Sequence, residues 1–276
     1  MVVSDVGCGT GILALMACRA GAARVYALDT SDILDVARRI AAGNGVADRI
    51  TFIESDVANV SLPEGCDVAL SDFVGHFGYD AGLLAMSASI GSLLKPGGVS
   101  IPSTITMAVT AVECPEVRES LDFWRRPVAG FDIGGAFETA VNTPFTEFTA
   151  VGDLLASDVV EASVAVLASE PVVRLRGTVD VERDGILGGL AAWCRVQLAP
   201  GIEMTNAPRA MARLRRRNVV LPIARPIEVS SGDEVTIDVT IRPIDLVVSW
   251  RVTARGVEAR HSSFESLPFP AAARRP

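Results

Sequence analysis

A glycine-rich segment near the start of the chain could hold a small charged molecule. Asp5-Val6-Gly7-Cys8-Gly9-Thr10-Gly11 follows apolar residues and precedes a helical pattern. Glycines allow a tight turn and let a ligand approach the backbone without a Cβ in the way. Asp29 ends the next apolar stretch, 18 residues after Gly11. A carboxylate at that place can accept hydrogen bonds from both hydroxyls of a ribose.

The spacing of the glycines separates two classes of cofactor. Dinucleotide enzymes prefer Gly-x-Gly-x-x-Gly, which aims a helix N-terminus at a pyrophosphate. Here the spacing is Gly-x-Gly-x-Gly, with Asp5 two residues before the first glycine. S-adenosylmethionine has no phosphate, and its ammonium and carboxylate groups need an acid and backbone donors. We therefore expect an S-adenosylmethionine site. The competing interpretation is an ordinary strand-to-helix turn that is rich in glycine.

Further candidate contacts follow the second and third apolar stretches. Thr30 comes directly after Asp29, and Asp56 and Val57 lie where an adenine edge would be bound. A solvated acid in a turn is the competing interpretation of Asp56. The expected cofactor-binding residues are Asp5, Gly7, Cys8, Gly9, Gly11, Asp29, Thr30, Asp56 and Val57.

The first hundred residues alternate between strand and helix patterns. We expect strands at 2–3, 23–29, 50–54 and 67–71, and helices at 12–19, from a cap at Ser31 to Gly43, and at 83–94. Lys95-Pro96-Gly97-Gly98 is expected to end the last helix. Such alternation predicts a parallel sheet with helices on its faces, an α/β Rossmann-like domain at 1–100.

The pattern changes after Gly98. Apolar and polar residues alternate at 235–241 and 248–252, and 172–181 and 190–198 are also strand-like. This period of two predicts a mostly antiparallel sandwich or barrel at 101–266, followed by a loose tail at 267–276 rich in Pro and Ala. Because the first core strand begins at residue 2, we interpret the N-terminus as truncated.

Composition bounds the partners and the compartment. The net charge of −8 argues against a surface built for the phosphates of nucleic acids. The five cysteines have no paired spacing that suggests a metal site or a redox dithiol, and they are typical of a reducing compartment. No apolar run reaches the roughly 18 residues of a membrane span, and no signal peptide is recognisable. We expect a cytoplasmic protein without a metal or membrane partner.

These segments together resemble the protein arginine methyltransferases over nearly the whole chain. Residues 5–32 look like their first cofactor motif, and 94–103 like the passage into their β-barrel. Phe123-Trp124 and Gly130-Phe131-Asp132 resemble the segment beside their dimerisation arm, near 120–145. The resemblance implies a Rossmann-like domain followed by a β-barrel, a homodimer, and methyl transfer to arginine in a protein or peptide.

The chain departs from the family in the acceptor loop, residues 71–81. Family members carry two glutamates there, which clamp a guanidinium. Asp72 stands at the first position, whereas the second falls on Ala81, beside Asp80. His76 in this loop could act as a general base. The candidate catalytic residues are therefore Asp72, His76 and Asp80.

Two other family features are also absent at their expected positions. No His or Trp stands near residues 214–216, where the family has Thr-His-Trp, and the family's glutamate near the adenine falls on Ala58.

Three functions stay open: transfer to an N or O nucleophile as in the family, a small-molecule or peptide O- or N-methyltransferase that has lost arginine selectivity, and a dimeric homologue without turnover.

Overall fold

The computed structural model describes residues 1–265, and the tail expected at 267–276 lies outside them. Internal contacts divide the chain into two units. The first contains 1–105 with the short segments 164–170 and 196–204, and the second contains 106–163, 171–195 and the described residues from 205 onward. The sequence suggested a single boundary at 100–101. The two short segments that join the first unit had no signal in the sequence.

The first unit is a five-stranded parallel sheet with helices. Its strands are β1 (Val2–Val6), β2 (Arg24–Asp29), β3 (Ile50–Glu54), β4 (Cys66–Leu70) and β5 (Leu94–Ile101), and its helices are α1 (Ile12–Arg19), α2 (Leu34–Gly43) and α3 (Ser87–Ser92). The strand order is β3-β2-β1-β4-β5, and the four strand pairings are parallel. The Rossmann-like architecture is thereby confirmed. The order reverses at β1, where open α/β sheets bind ligands.

The core explains why these residues form these elements. The central strands bury short apolar runs on both faces, as a sheet covered by helices requires. Val25 and Ala27 of β2 are fully buried, and Ala14 and Cys18 of α1 pack into the same cluster with Leu34 of α2. This packing holds the carboxyl ends of β1 and β2 beside the first turn of α1.

Two local predictions in this unit were wrong. The helix expected at 83–94 is confined to α3, because Gly82 is in the left-handed region (φ 95°) before it and Leu94 already belongs to β5. Ser31 does not cap α2, whose N-terminal capping position is Ile33 without a side-chain hydrogen bond. The Ser31 hydroxyl instead donates to Asp29 Oδ1 (2.7 Å).

The second unit is built mainly on two antiparallel sheets, in agreement with the sequence pattern. Ten strands form these sheets: β6 (Thr104–Val112), β7 (Phe145–Glu147), β8 (Val160–Ala165), β9 (Val173–Asp180), β10 (Gly185–Ala199), β11 (Ile202–Thr205), β12 (Asn218–Val229), β13 (Glu234–Arg242), β14 (Val247–Ala254) and β15 (Val257–Ser262). One sheet has the order β7-β12-β10-β6-β8, with β11 beside β10, and the other has β15-β14-β13-β9. In β14 every second residue is buried, Trp250 among them.

Two helices in this unit lie in and beside the segment expected to resemble a dimerisation arm. They are α4 (Pro115–Phe123) and α5 (Phe137–Val141). Arg118 on α4 pairs with Asp122 (2.6 Å) and donates to the carbonyl oxygen of Ala224 on β12 (3.2 Å), which fixes α4 to the sheet. Among residues 1–265, no helix is both long enough and apolar enough to cross a membrane.

Candidate active site

The glycine turn, residues 7–11, connects β1 to α1. Gly7, Gly9 and Gly11 all have positive φ angles (75°, 52° and 84°), a region that favours glycine because it has no Cβ. The backbone N–H groups of Gly7 and Cys8 both donate to the carbonyl oxygen of Leu28 in β2 (2.8 and 2.9 Å). Burial, with the charges of nearby carboxylates, raises the pKa of the Cys8 thiol to about 12. Cys8 is therefore a neutral packing residue of the turn.

Asp5 lies in β1 just before this turn and is fully buried. Its Oδ2 accepts a hydrogen bond from the N–H of Ala14 in the first turn of α1 (2.9 Å). Burial raises its pKa to about 6; the Ala14 hydrogen bond lowers the pKa and the charge of Asp29 raises it. Within the described chain Oδ1 is buried and has no hydrogen-bond partner. A buried carboxylate oxygen without a partner fits a cationic group such as the ammonium of an amino acid.

Asp29 ends β2 and holds the glycine turn from the other side. Its Oδ2 accepts from the Gly9 N–H (2.9 Å), and its Oδ1 accepts from the N–H and the hydroxyl of Ser31 (3.1 and 2.7 Å). A carboxylate has about four lone-pair sites, and three are used here, so Oδ2 can accept one further hydrogen bond from a ligand hydroxyl. Thr30, between Asp29 and Ser31 in the sequence, is exposed. The sequence did not indicate that Asp29 also stabilises the turn.

Asp56 and Val57 follow β3 and differ in their environments. Asp56 is exposed, and its Oδ1 accepts from the Ala58 N–H (2.9 Å) at the start of a short 3-10 helix. This is the structural role of a turn acid. Val57 is buried and supplies apolar surface. The cofactor contacts expected for both residues stay predictions.

The acceptor loop brings together two of the three candidate catalytic residues. Asp80 accepts hydrogen bonds from the N–H groups of His76 (3.0 Å to Oδ1, 2.9 Å to Oδ2) and Phe77 (2.8 Å). His76 Nδ1 lies 3.5 Å from Asp80 Oδ2, an ion pair when the imidazole is protonated. Gly75 (φ 72°) allows this approach, because a Cβ there would lie 2.4 Å from Asp80 Oδ1. Both oxygens of Asp80 are thus directed at the backbone of its own loop.

Asp72 lies at the start of the loop and is exposed. Its neighbours are held: the Ser71 N–H donates to the carbonyl oxygen of Ile101 (3.1 Å), and the Phe73 carbonyl oxygen accepts from the Leu83 N–H (3.1 Å). Phe77 and Tyr79 are buried with their rings edge to face, 5.8 Å apart. The loop is therefore compact, with Asp72 as its exposed acid. No His, Cys, Asp or Glu cluster suited to a metal occurs in residues 1–265.

Comparisons with known proteins agree with this geometry. Residues 3–98 match the family model described as a methyltransferase domain. The ribosomal protein arginine N-methyltransferase of Schizosaccharomyces pombe is 39% identical over 136 residues, 48% of this chain and 25% of that protein. Protein arginine N-methyltransferase 6 of Xenopus laevis is 28% identical over 261 residues, 89% of this chain and 76% of that protein.

A solved structure with the same fold is the Trypanosoma brucei PRMT1 enzyme–prozyme heterotetrameric complex with AdoHcy. It has a TM-score of 0.84 at 22% sequence identity and covers 95% of this chain and 88% of that chain. Residues 3–98 of the first unit thus match a methyltransferase domain, and they have a Rossmann-like fold. The chain as a whole is similar to protein arginine methyltransferases, and the match to the Schizosaccharomyces pombe protein spans only a quarter of that relative's length.

Proposed function

We propose that the protein is an S-adenosylmethionine-dependent methyltransferase related to the protein arginine N-methyltransferases, which transfers a methyl group to an N or O nucleophile. The observation that carries this proposal is the buried Oδ1 of Asp5, which has no hydrogen-bond partner within residues 1–265. When bound, the cofactor would supply a methyl group on a sulfonium for transfer to a nucleophile; the carbon–sulfur bond breaks as the new bond forms, and a neutral thioether is released.

The residues of the first unit divide the binding between them. Asp5 binds the ammonium group, and the glycine turn presents backbone without side chains. Asp29 accepts from a ribose hydroxyl with the lone pair of Oδ2 that Gly9 leaves open. Val57 offers an apolar surface to the adenine. Positioning of this kind supplies much of the rate of a displacement reaction, because the reactants are already oriented.

The acceptor that we propose is an arginine side chain of a protein or peptide. Asp72 is an exposed carboxylate and can pair with one edge of a guanidinium. The carboxylate of Asp80 accepts hydrogen bonds from backbone N–H groups of the loop and thereby stabilises it, rather than forming the second half of a clamp. His76, which lies beside Asp80, is the general base in this proposal and would accept a proton from the acceptor.

Calorimetry with two nucleosides tests the cofactor site. S-adenosylhomocysteine carries the ammonium, whereas 5′-methylthioadenosine has the same adenine and ribose without the amino acid. We expect Asp5→Asn to weaken S-adenosylhomocysteine at least tenfold and to leave 5′-methylthioadenosine within twofold. Asp29→Asn, the matched control, should weaken both alike. If S-adenosylhomocysteine does not bind the unaltered protein, the proposed function is wrong. If Asp5→Asn weakens the affinity for both ligands equally, Asp5 does not bind the ammonium group.

Labelled S-adenosylmethionine and arginine-containing peptides test the acceptor. We expect labelled methylarginine, reduced at least tenfold by Asp72→Asn, because the amide keeps the shape of the side chain but loses its charge. Label on a hydroxyl would instead support the second function, a methyltransferase without arginine selectivity. Cofactor binding with no transfer to any acceptor would support the homologue without turnover.

We further propose a homodimer in the cytoplasm. The segment after α4 exposes Phe123, Val128 and Phe131 (48%, 40% and 73%), an apolar surface that a second copy could cover. Sedimentation should give a dimer that Phe131→Ser weakens, and a monomer at micromolar concentration would contradict this. The five cysteines are free and buried, as is typical of a reducing compartment, and cell fractionation would test that location.

A further inference from the structure

The acceptor loop contacts the glycine turn, and the sequence did not predict this contact. The ring of Phe73 lies directly against the α-carbon of Gly7: a Cβ built on Gly7 would be 2.0 Å from Phe73 Cε2 and 2.5 Å from Cζ. Gly7 therefore lacks a side chain for two reasons, its positive φ angle and the aromatic ring that occupies the space. The contact joins the residue after Asp72 to the turn after Asp5.

The acceptor loop is otherwise stabilised from within. Asp80 binds the N–H groups of His76 and Phe77, and the buried rings of Phe77 and Tyr79 fill the inside of the loop. Phe73 differs from these rings because it is 37% exposed and its ring packs on the glycine turn rather than into the loop. A movement of the glycine turn would therefore displace Phe73 before the other residues of the loop.

We propose that Phe73 is a positioning residue that couples the glycine turn to Asp72. The proposal deepens the proposed function and rests on it. When the turn is occupied, its backbone becomes less mobile, and the ring seated on Gly7 becomes fixed with it. Asp72 is the neighbour of Phe73 and is held on its other side by the Ser71 hydrogen bond to β5. Occupancy of the turn thus orders the carboxylate that receives the acceptor.

This coupling differs from plain packing in what it predicts. A ring that only fills space would affect stability, whether or not the turn is occupied. A positioning ring must change how the loop responds to a ligand that never touches Asp80 or the loop interior. It must also affect use of the acceptor more than affinity for the cofactor product.

Hydrogen exchange with and without S-adenosylhomocysteine tests the proposal on the full chain. In the unaltered protein, we expect the ligand to slow exchange in peptides covering 72–83 at least fivefold. Phe73→Ala should remove that slowing and leave the affinity for S-adenosylhomocysteine within threefold. Phe73→Leu keeps apolar bulk on Gly7 and should restore part of it. Phe264→Ala is the control, because it removes an exposed phenylalanine ring far along the chain (77% exposed, against 37% for Phe73).

Methyl transfer provides the second readout. Phe73→Ala should lower kcat/KM for the acceptor at least tenfold with little change in the KM for S-adenosylmethionine, and Phe73→Leu should recover part of the loss. Gly7→Ala adds an independent arm: its Cβ conflicts with the ring, so its effect on the melting temperature should be smaller in the Phe73→Ala background than alone.

The outcomes separate the two proposals. Ligand binding without any slowing of exchange at 72–83, or identical slowing in Phe73→Ala, would overturn the coupling and leave the proposed function standing. Slowing that depends on Phe73 in a protein with no methyl transfer would support the coupling and overturn the activity. Failure of S-adenosylhomocysteine to bind the unaltered protein would overturn both. Additive effects of Gly7→Ala and Phe73→Ala would contradict the contact itself.

Discussion

Replacing Asp5 by Asn isolates the charge of the buried carboxylate from its structural hydrogen bond. Asn has nearly the same shape, and its side-chain oxygen can still accept from the Ala14 N–H that Asp5 Oδ2 binds at 2.9 Å. What the variant loses is the negative charge beside Oδ1, which is buried without a partner in the described chain. In the absence of a ligand, that charge should destabilise the folded protein.

The size of this effect follows from the pKa. Burial raises the pKa of Asp5 from its ordinary 3.8 to about 6, and each unit of difference is worth about 1.4 kcal/mol. The folded protein therefore holds the proton more tightly than the unfolded chain, and its stability falls as the pH rises from about 4 through 6. The raised pKa of Asp5 then lowers the stability of the folded protein by about 3 kcal/mol at neutral pH and about 1 kcal/mol at pH 4.5.

Urea unfolding of the ligand-free protein measures this cost. The difference in unfolding free energy between Asp5→Asn and the unaltered protein should move in favour of the variant by about 2 kcal/mol between pH 4.5 and 7.5. Any constant penalty from the amide NH₂ cancels in that comparison. A difference that stays constant over this range would refute the reasoning, because Asp5 would then titrate alike in the folded and unfolded states.

Four further variants are tested by unfolding or exchange. Gly75→Ala should displace Asp80 and speed exchange of the loop amides, because its Cβ would lie 2.4 Å from the Asp80 Oδ1. Gly97→Ala, with a similar φ and open space, should show only the ~1–2 kcal/mol backbone penalty. Trp250→Phe should lower the unfolding free energy by about 1–3 kcal/mol, because a buried carbonyl oxygen loses the 2.7 Å indole hydrogen bond. Burial lowers the pKa of His261, so the unfolding free energy should fall as the pH drops below about 6.5. His261→Gln should reduce that fall in urea titrations, and an unchanged fall would contradict the role of His261.

The sheet of the first unit was predictable because its signals are local. Short apolar runs separated by helical stretches can only be buried on a parallel sheet covered by helices, and α1 begins and ends where its pattern indicated. The helix expected at 83–94 is shorter than predicted because turns follow Gly82 and Leu94 already pairs within β5. The Pro96 and Gly97 that were interpreted as a stop lie within β5, an edge strand, where proline is tolerated.

The candidate site shows the same division between local and distant effects. Asp5 and Asp29 could be recognised because each lies at a strand end beside the glycine turn. The role of Asp80 could not, since it depends on a left-handed Gly75 and on backbone N–H groups that the turn happens to expose. The contact between Phe73 and Gly7 joins residues far apart in the sequence, and neither residue type predicts it.

The charge on Asp5 bears directly on whether this chain is a binding protein or a homologue that no longer binds a cofactor. The first turn of α1 needs only a neutral acceptor for the Ala14 N–H, and an amide or hydroxyl would supply one. A buried carboxylate in the same place destabilises the ligand-free protein at neutral pH. A cation that pairs with Oδ1 would reverse that penalty and convert it into affinity. The fold alone gives no reason for the charge, whereas a cofactor with an ammonium group does. For that reason we favour a functional cofactor site, and the acceptor loop, with Asp72 as its exposed acid, becomes the part of the molecule that decides between an enzyme and a cofactor-binding homologue.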